Sequence, residues 1–329
     1  MNRILITGGF GFLGTHLIEI LLKDKNNCVH VVDNLSSNPL PLDYTLKLIF
    51  NERLTYEIKN LVDFVPIIDY DEIYHLASVV GPAGILKYAG KISKNICDDI
   101  CHIINISKKM KSKIVNVSSS EVYGGGLNGY CSENMNKIIQ PQVTVRLEYA
   151  IGKLASEISL INAAKIENID ARIVRPFNIS GPRQSSKGGF VLPRFILQSL
   201  KNEDLTVFGN GKQIRSFSHV IDVCEGIINT MKYGVNGQDY NLGNSSNKIT
   251  IFELAEKVIK ITKSKSKIVF VEPKNIYGNL YSEANDKFPD DTKSKKDIKW
   301  NPKYDIDVII ADTYYFLKNL DQDIIKNYF

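Results

Sequence analysis

A glycine-rich turn near the N-terminus constrains the fold more than any other feature of this sequence. A short apolar run at residues 3–7 leads into residues 8–14 (GGFGFLG), and an amphipathic helical pattern follows at residues 15–22. A second apolar run, residues 28–32, ends at Asp33. Glycines let the backbone approach a pyrophosphate, a helix N-terminus stabilises its charge, and the acid binds ribose hydroxyls. This order predicts a dinucleotide-binding unit, and the carboxylate favours NAD over NADP.

Strands and helices continue to alternate through the first half of the chain. Apolar runs at residues 72–76, 113–117 and 171–175 are typical of buried parallel strands. Residues 92–110 and 148–164 between them have helical periodicity. This alternation predicts an α/β fold with a doubly wound parallel sheet (Rossmann), whose ligands bind at the carboxyl ends of the strands.

The regular alternation stops near residue 177, where glycine-containing turns separate shorter segments. We therefore expect residues 1–176 to form the NAD-binding domain. Residues 177–329 are expected to form mainly a smaller, mixed α/β C-terminal lobe that binds substrate. Within them, residues 210–235 are expected to return to the main sheet.

A tyrosine and a lysine on one predicted helix can do proton chemistry. Tyr149 and Lys153 are four residues apart, so a helix places them on one face. A phenol is a poor base at neutral pH because its pKa is near ~10, and an ammonium one turn away is expected to lower that pKa. Ser119 follows a predicted strand and can hydrogen-bond the oxygen that gains or loses the proton. The three residues predict a device that removes a proton from an alcohol.

Composition excludes several other classes of protein. The net charge of +5 comes mostly from dispersed lysines, without a basic stripe interleaved with aromatics, which argues against nucleic-acid binding. The cysteines are scattered, and Cys97, Cys101 and His102 do not have zinc-site spacing, so we expect no disulfide framework and no metal. No signal-peptide pattern and no apolar window of ~18 residues occurs, so we expect a cytoplasmic protein without a membrane span.

Several motifs, taken together and in order, resemble the extended short-chain dehydrogenase/reductases. The motifs are residues 7–14 (TGGFGFLG), 118–124 (SSSEVYG), 149–153 (YAIGK) and 175–183 (RPFNISGPR). Within that superfamily they are similar to the NAD-dependent nucleotide-sugar epimerases, dehydratases and decarboxylases. The resemblance implies oxidation of a hexose at C4 while the sugar is carried on a nucleoside diphosphate. Tyr149 would take the hydroxyl proton, Lys153 would bind the nicotinamide ribose, and Ser119 would hold the reacting oxygen.

The same resemblance implies a set of binding residues. Those for NAD are Gly8, Phe10, Gly11, Phe12, Leu13, Gly14, Asp33, Asn34, Asn60, Leu61, Leu76, Ala77, Ser78, Asn95, Val117, Tyr149, Lys153 and Pro176. Those for the nucleoside-diphosphate sugar are Ser119, Ser120, Asn178, Arg183, Val191, Phe208, Arg215 and Lys287. Asn178 and Arg215 would contact the diphosphate. The helices at residues 92–110 and 148–164 would form the interface of a homodimer.

Two departures from the family pattern bear on the reaction. Members that eliminate water usually carry an acid–glutamate pair after the catalytic serine or threonine, whereas this chain has Ser120-Glu121, which counts against a 4,6-dehydratase. Glu121 is instead a candidate catalytic residue for decarboxylation. Lys287 stands where an arginine commonly clamps the diphosphate, and a lysine lacks the bidentate fork.

Several outcomes of C4 oxidation therefore stay open. Epimerisation needs only re-reduction of the ketone from its other face, so a 4-epimerase or C4 dehydrogenase is the first expectation. A UDP-glucuronate-decarboxylase-like enzyme is the second, and a 4,6-dehydratase is less favoured. A non-catalytic NAD-binding sensor is the alternative from another class, and the presence of Ser119, Tyr149 and Lys153 argues against it. The nucleobase stays open among uracil, guanine and thymine.

Overall fold

The computed structural model describes residues 1–124, 128–278, 280–281 and 286–328. Its strands are β1 (Asn2–Thr7), β2 (Asn27–Asp33), β3 (Leu54–Ile58), β4 (Glu72–His75), β5 (Lys113–Val117), β6 (Tyr130–Cys131), β7 (Ala171–Pro176), β8 (Ile179–Ser180), β9 (Leu205–Phe208), β10 (Ile214–Ser216), β11 (Ser218–His219), β12 (Asp239–Leu242), β13 (Lys248–Thr250), β14 (Ile268–Val271) and β15 (Phe288–Pro289). Its α-helices are α1 (Phe12–Leu21), α2 (Leu42–Leu48), α3 (Ile92–Met110), α4 (Val145–Ile166), α5 (Val191–Leu200), α6 (Val220–Tyr233), α7 (Ile251–Thr262), α8 (Lys274–Tyr277), α9 (Thr292–Asp297), α10 (Ile306–Lys318) and α11 (Gln322–Tyr328). Short 3-10 helices lie at Leu61–Asp63, Ile85–Tyr88, Ser120–Tyr123, Ser186–Gly188 and Ser245–Asn247.

Seven parallel strands form the main sheet in the order β12-β7-β5-β4-β1-β2-β3. β1 lies between β2 and β4, and Ile6 pairs with Val31 on one side and Tyr74 on the other. The strand order reverses at β1, and the carboxyl ends of β1 and β4 open a crevice there. The predicted doubly wound α/β fold is confirmed.

Helices cover both faces of the sheet, which explains why its strands are apolar throughout rather than alternating. On one face, Leu17 of α1 and Val223 of α6 belong to a buried cluster with the strands. On the other face, Ile103 of α3 and Leu160 of α4 belong to a second cluster. None of the described helices is long and apolar enough to cross a membrane.

The chain after β7 contributes to the main sheet and also builds a separate apolar core. The strand that joins the sheet beside β7 is β12, which lies after residues 210–235, whereas α6 within that range packs on the sheet. A third buried cluster forms around α5, α7 and α10, with Phe195, Leu254 and Ile309 at its centre. The division of the chain after residue 176 stays a prediction.

Candidate active site

The glycine-rich turn joins β1 to α1 at the mouth of the crevice. Gly8 has a φ of +71°, and a Cβ there would lie 2.8 Å from the backbone of Ala77. A Cβ on Gly14 would lie 2.6 Å from the carbonyl oxygen of Gly8. Gly11 caps α1 without a side-chain hydrogen bond, so no described side chain takes the amides of the first helical turn. The turn therefore fits a pyrophosphate, which those amides and the helix dipole would bind.

Asp33 stands at the carboxyl end of β2, next to the glycine-rich turn. Its Oδ2 accepts a hydrogen bond from the amide of Phe10 at 2.9 Å, and its Oδ1 accepts one from Leu35 at 2.8 Å. Burial raises the pKa of Asp33, and these two hydrogen bonds oppose the rise. Nearby, the side-chain Nδ2 of Asn34 donates a hydrogen bond to Oδ1 of Asn60 at 3.0 Å. The carboxylate is held in place with lone pairs left for ribose hydroxyls, so the residues present fit a dinucleotide.

Ser119, Tyr149 and Lys153 come together at the carboxyl end of β5. α4 begins at Val145, three residues earlier than expected, because the Thr144 hydroxyl accepts a hydrogen bond from the amide of Leu147 at 3.1 Å. The phenol of Tyr149 is hydrogen-bonded to Ser119. Lys153 Nζ lies 6.0 Å from the centroid of the Tyr149 ring. The structure brings the three predicted residues together in one cavity, and their chemical role stays a prediction.

The electrostatics of the pair differ from the prediction. Burial raises the pKa of Tyr149 above its usual range, and the hydrogen bond with Ser119 offsets only part of the rise. The Lys153 ammonium, whose charge was expected to lower the pKa of Tyr149, donates to the carbonyl oxygen of Val117 at 3.0 Å. Burial also lowers the pKa of Lys153 to about 8, against the opposing charges of Asp99 and Glu157. Both shifts come from burial, which spacing along a sequence does not reveal.

Glu121 forms an ion-paired cluster in the same cavity as Tyr149. Its Oε1 accepts a hydrogen bond from Arg146 at 2.9 Å and another from Lys287 at 2.5 Å. Burial favours the neutral acid, but the charges of Arg146 and Lys287 outweigh it and hold the pKa of Glu121 well below its usual range. Glu121 is therefore ionised at neutral pH. Lys287 lies beside Arg215 through a β-bridge, and its ammonium is turned to Glu121.

Aromatic and polar side chains line the opposite part of the site. The Arg194 guanidinium lies 3.8 Å from the centroid of the Phe208 ring, and the ring of Tyr281 meets Phe208 edge-on at 6.1 Å. Asn178 has a φ of +35°, and its amide donates to the carbonyl oxygen of Ser216 at 3.0 Å. A flat aromatic surface beside a cation suits a nucleobase next to a phosphate.

One cavity of about 320 Å³ joins these parts. The predicted residues that line it are Gly8, Phe12, Leu13, Gly14, Leu76, Ser78, Val117, Ser119, Ser120, Glu121, Tyr149, Lys153, Pro176, Asn178, Val191, Phe208, Arg215 and Lys287. The predicted residues outside its lining are Phe10, Gly11, Asp33, Asn34, Asn60, Leu61, Ala77, Asn95 and Arg183. Arg183 is ion-paired with Glu19 of α1 at 2.8 Å. The binding roles of all these residues stay predictions.

Two cavity residues with charged side chains were missing from the predicted set. Arg146 stands three residues before Tyr149. If the start of the helix had been predicted correctly, its periodicity would have placed both residues on one face. Arg194 on α5 is brought to Phe208 by tertiary packing, and no local signal in the sequence indicates it. The sequence therefore contained a signal for Arg146, its helical spacing from Tyr149, and none for Arg194.

Residues 4–243 match the NAD dependent epimerase/dehydratase family. The chain belongs to that family. Membership confirms the resemblance inferred from the motifs, and the NAD dependence of the family confirms the predicted cofactor.

Relatives of this epimerase/dehydratase family protein include several uronate decarboxylases. The chain is 32% identical over 334 residues to UDP-N-acetyl-alpha-D-glucosaminuronate decarboxylase of Bacillus cytotoxicus, covering 98% of this chain and 99% of that protein. It is 33% identical over 301 residues to UDP-glucuronic acid decarboxylase 6 of Arabidopsis thaliana, covering 92% and 84%. A crystal structure of UDP-glucuronic acid 4-epimerase from Bacillus cereus with UDP-glucuronic acid and NAD has a TM-score of 0.84 at 24% identity, covering 96% and 99%. That last likeness shows a shared fold.

Proposed function

We propose that this enzyme oxidises a UDP-uronic acid at C4 and then removes its carboxyl group as carbon dioxide. The observation that carries the proposal is the similarity to two UDP-uronate decarboxylases over 92% or more of the chain. It reverses the order expected from the sequence, in which a 4-epimerase or C4 dehydrogenase stood first. A 4-epimerase is kept as the competing outcome, because its chemistry needs only Ser119, Tyr149 and Lys153.

The charge of the cavity supports an anionic substrate. Its lining includes five cationic side chains, Arg146, Lys153, Arg194, Arg215 and Lys287, against the single carboxylate of Glu121 among the described residues. A UDP-uronic acid brings a diphosphate and a carboxylate, all ionised at neutral pH. Opposite charges in a partly enclosed cavity attract more strongly than in water. The excess of positive charge therefore suits this substrate better than a neutral sugar on the same nucleotide.

The chain's own side chains would carry the proton transfers. NAD, when bound, supplies the acceptor for the C4 hydride. Tyr149 would first give up its own proton, and its phenolate oxygen would then take the proton of the C4 hydroxyl, with Ser119 holding the C4 oxygen in place. The resulting C4 ketone puts the carboxylate β to a carbonyl. The C5–C6 bond can then break with carbon dioxide leaving and its electron pair passing to the C4 oxygen, which Ser119 and Tyr149 would stabilise by hydrogen bonds.

The test is incubation of the NAD-loaded enzyme with UDP-glucuronate and, separately, UDP-N-acetylglucosaminuronate. Products would be followed by mass spectrometry together with trapping of released carbon dioxide. We expect one of the two sugars to lose carbon dioxide. UDP-glucose and UDP-galactose serve as matched substrates without a carboxylate. A product of unchanged mass and altered C4 configuration would overturn the proposal in favour of a 4-epimerase.

A further inference from the structure

Arg175 is a buried cation that the mechanism above does not use. It begins the motif at residues 175–183, and its neighbours Pro176 and Asn178 line the cavity whereas Arg175 does not. It lies in β7, whose six residues are all buried. A charge in such a strand is costly unless it is paired and hydrogen-bonded. The partners of the guanidinium therefore indicate what this side chain does.

The first partner is Glu157 on α4, the helix that carries the catalytic tyrosine and lysine. Nε of Arg175 donates to Oε1 of Glu157 at 2.9 Å, and Nη2 donates to Oε2 at 2.6 Å. Tyr149, Lys153 and Glu157 are spaced four residues apart, so they occupy successive turns on one side of the helix. A bidentate pair fixes orientation as well as distance. The pair therefore anchors that side of α4 to β7.

The second partner is Tyr123, at the end of the 3-10 helix that directly follows Ser119. Nη1 of Arg175 donates to the Tyr123 hydroxyl at 2.9 Å, and that hydroxyl donates to Oδ1 of Asn241 at 2.7 Å. At the start of the same 3-10 helix, Oγ of Ser119 accepts a hydrogen bond from the amide of Glu121 at 3.2 Å. One short helical turn therefore connects the Ser119 side chain to the hydroxyl that Arg175 binds.

The hydrogen bond between Ser119 and Tyr149 spans the two segments that Arg175 joins. Ser119 precedes the 3-10 helix, and Tyr149 belongs to α4. A second link between these segments, Arg146 to Glu121, lies in the cavity lining and faces the space that a substrate would fill. The Arg175 link lies outside that lining, so substrate does not compete for it. Reacting groups must be held to within a fraction of an ångström, and a buried link outside the cavity suits that task.

We propose that Arg175 is a positioning residue of the active site. It joins the 3-10 helix after Ser119 to α4, and so it fixes the hydrogen bond between Ser119 and Tyr149. A lysine could not make these contacts together, because an ammonium lacks the planar fork of donors. The effect on the hydrogen bond follows from the contacts of Arg175, and only its consequence for turnover rests on the proposed function.

The test compares Tyr123→Phe with Tyr74→Phe. Tyr123→Phe removes the hydroxyl that Arg175 binds and leaves the pair of Arg175 with Glu157 in place. Tyr74 is a buried tyrosine of β4 in the same sheet, and its hydroxyl donates to Oε2 of Glu72 at 3.0 Å. Neither of these two residues lines the cavity. Tyr74→Phe therefore removes a comparable hydrogen bond away from the active site.

The hydrogen bond of Tyr149 can be measured without any turnover. In NAD-loaded enzyme with tyrosine 13C-labelled at Cζ, the NMR signal of Tyr149 reports the hydrogen bond of its phenol. The signal is assigned by its loss in Tyr149→Phe, and Ser119→Ala gives its position without the bond. Turnover of the UDP-uronate gives kcat and KM separately, and calorimetry gives the affinity for NAD.

We expect Tyr123→Phe to move the Tyr149 signal towards its position in Ser119→Ala. It should also lower kcat about tenfold with KM and NAD affinity nearly unchanged, because a displacement of ~1 Å can cost ~10²-fold and only one of the linking contacts is lost. Tyr74→Phe should behave like the parent. An unmoved Tyr149 signal, an unchanged kcat, or an equal fall of kcat in Tyr74→Phe would overturn the inference.

A second variant covers the case in which Tyr123→Phe does not fold. Arg175→Lys keeps a positive charge beside Glu157 and loses the fork that reaches both partners. We expect the same movement of the Tyr149 signal and the same fall in kcat, and the same outcomes would overturn the inference. A moved signal in an enzyme whose parent turns over no uronate would support this inference and refute the proposed function.

Discussion

Replacing Arg175 by methionine should destabilise the protein by about 3–5 kcal/mol, the usual cost of removing one partner from a buried ion pair. Arg175 is 2% exposed and Glu157 is 1% exposed, so neither charge has water as a substitute partner. The guanidinium also donates to the hydroxyl of Tyr123 at 2.9 Å. Asp239 also pairs with Arg175. When Arg175 is removed, Asp239 still has Lys293 as a cationic partner at 3.3 Å. Most of the lost free energy of unfolding should therefore come from the unpaired charge of Glu157.

Removing both charges should be much less costly than removing one. In the double variant Arg175→Met and Glu157→Leu no buried charge is left alone, and apolar side chains of similar volume fill the space. The Tyr123 hydroxyl still donates to Oδ1 of Asn241 at 2.7 Å. We expect the double variant to lie within about 1–2 kcal/mol of the parent, because replacing a buried pair by apolar groups is often nearly neutral.

Urea unfolding followed by the fluorescence of Trp300 gives the free energies. This is the single tryptophan of the sequence and is 1% exposed, so its signal reports exposure of the core. NAD must be absent or equally saturating in every sample, because a ligand of the folded state adds its own stabilisation. A cost for Arg175→Met below about 1 kcal/mol, or a double variant no more stable than the single one, would refute the reasoning.

Four further outcomes follow from individual residues. Gly14→Ala should weaken NAD binding at least about tenfold by calorimetry, because its Cβ would lie 2.6 Å from the backbone of the glycine-rich turn; Gly237→Ala, in open space, should leave binding unchanged. Tyr149→Phe should lower turnover of the UDP-uronate by about 10³-fold while NAD still binds. Unchanged turnover would refute the proposed mechanism. Glu121→Gln should lower the melting temperature at pH 7, because a depressed pKa stabilises the folded protein fully above the unfolded pKa. The difference should shrink as pH falls below the usual glutamate value of 4.5 towards the folded pKa, and a pH-independent difference would contradict this. Thr250→Ala removes the capping box of α7 and should lower the free energy of unfolding in urea by about 1 kcal/mol. An unaltered urea midpoint would show that the cap contributes nothing to stability.

The parts of the fold that the sequence predicted well are those determined by local chemistry. The helix expected at residues 92–110 is α3, Ile92–Met110, and the strand expected at residues 113–117 is β5, Lys113–Val117. The signals that predict such segments, the periodicity of apolar residues and the turn residues at the ends, lie within the segments themselves. Helix starts were less accurate: α1 begins at Phe12 rather than residue 15, because the glycine turn itself caps the helix.

Interactions across long sequence separations were not predictable in this way. The sequence did not predict that the ammonium of Lys287 is ion-paired with Glu121, 166 residues away. The pKa of Tyr149 was expected to fall and is raised, because burial outweighs the effect of the hydrogen bond with Ser119. The pairing of β12 with β7, more than 60 residues earlier in the chain, was also not predicted. Each of these depends on how distant segments pack, which no local pattern encodes.

The charge state of Glu121 bears directly on which reaction can follow C4 oxidation. Elimination of water across C5–C6 needs an acid to protonate the departing hydroxyl. Glu121 is held ionised by Arg146 and Lys287 and has no proton to give at neutral pH. Loss of carbon dioxide needs no proton donor at C6, only a C4 oxygen that can receive the electron pair, and in the proposed function Ser119 and Tyr149 would stabilise that oxygen. If Glu121 keeps these ion pairs when substrate is bound, the proposed decarboxylation fits its charge state better than dehydration does.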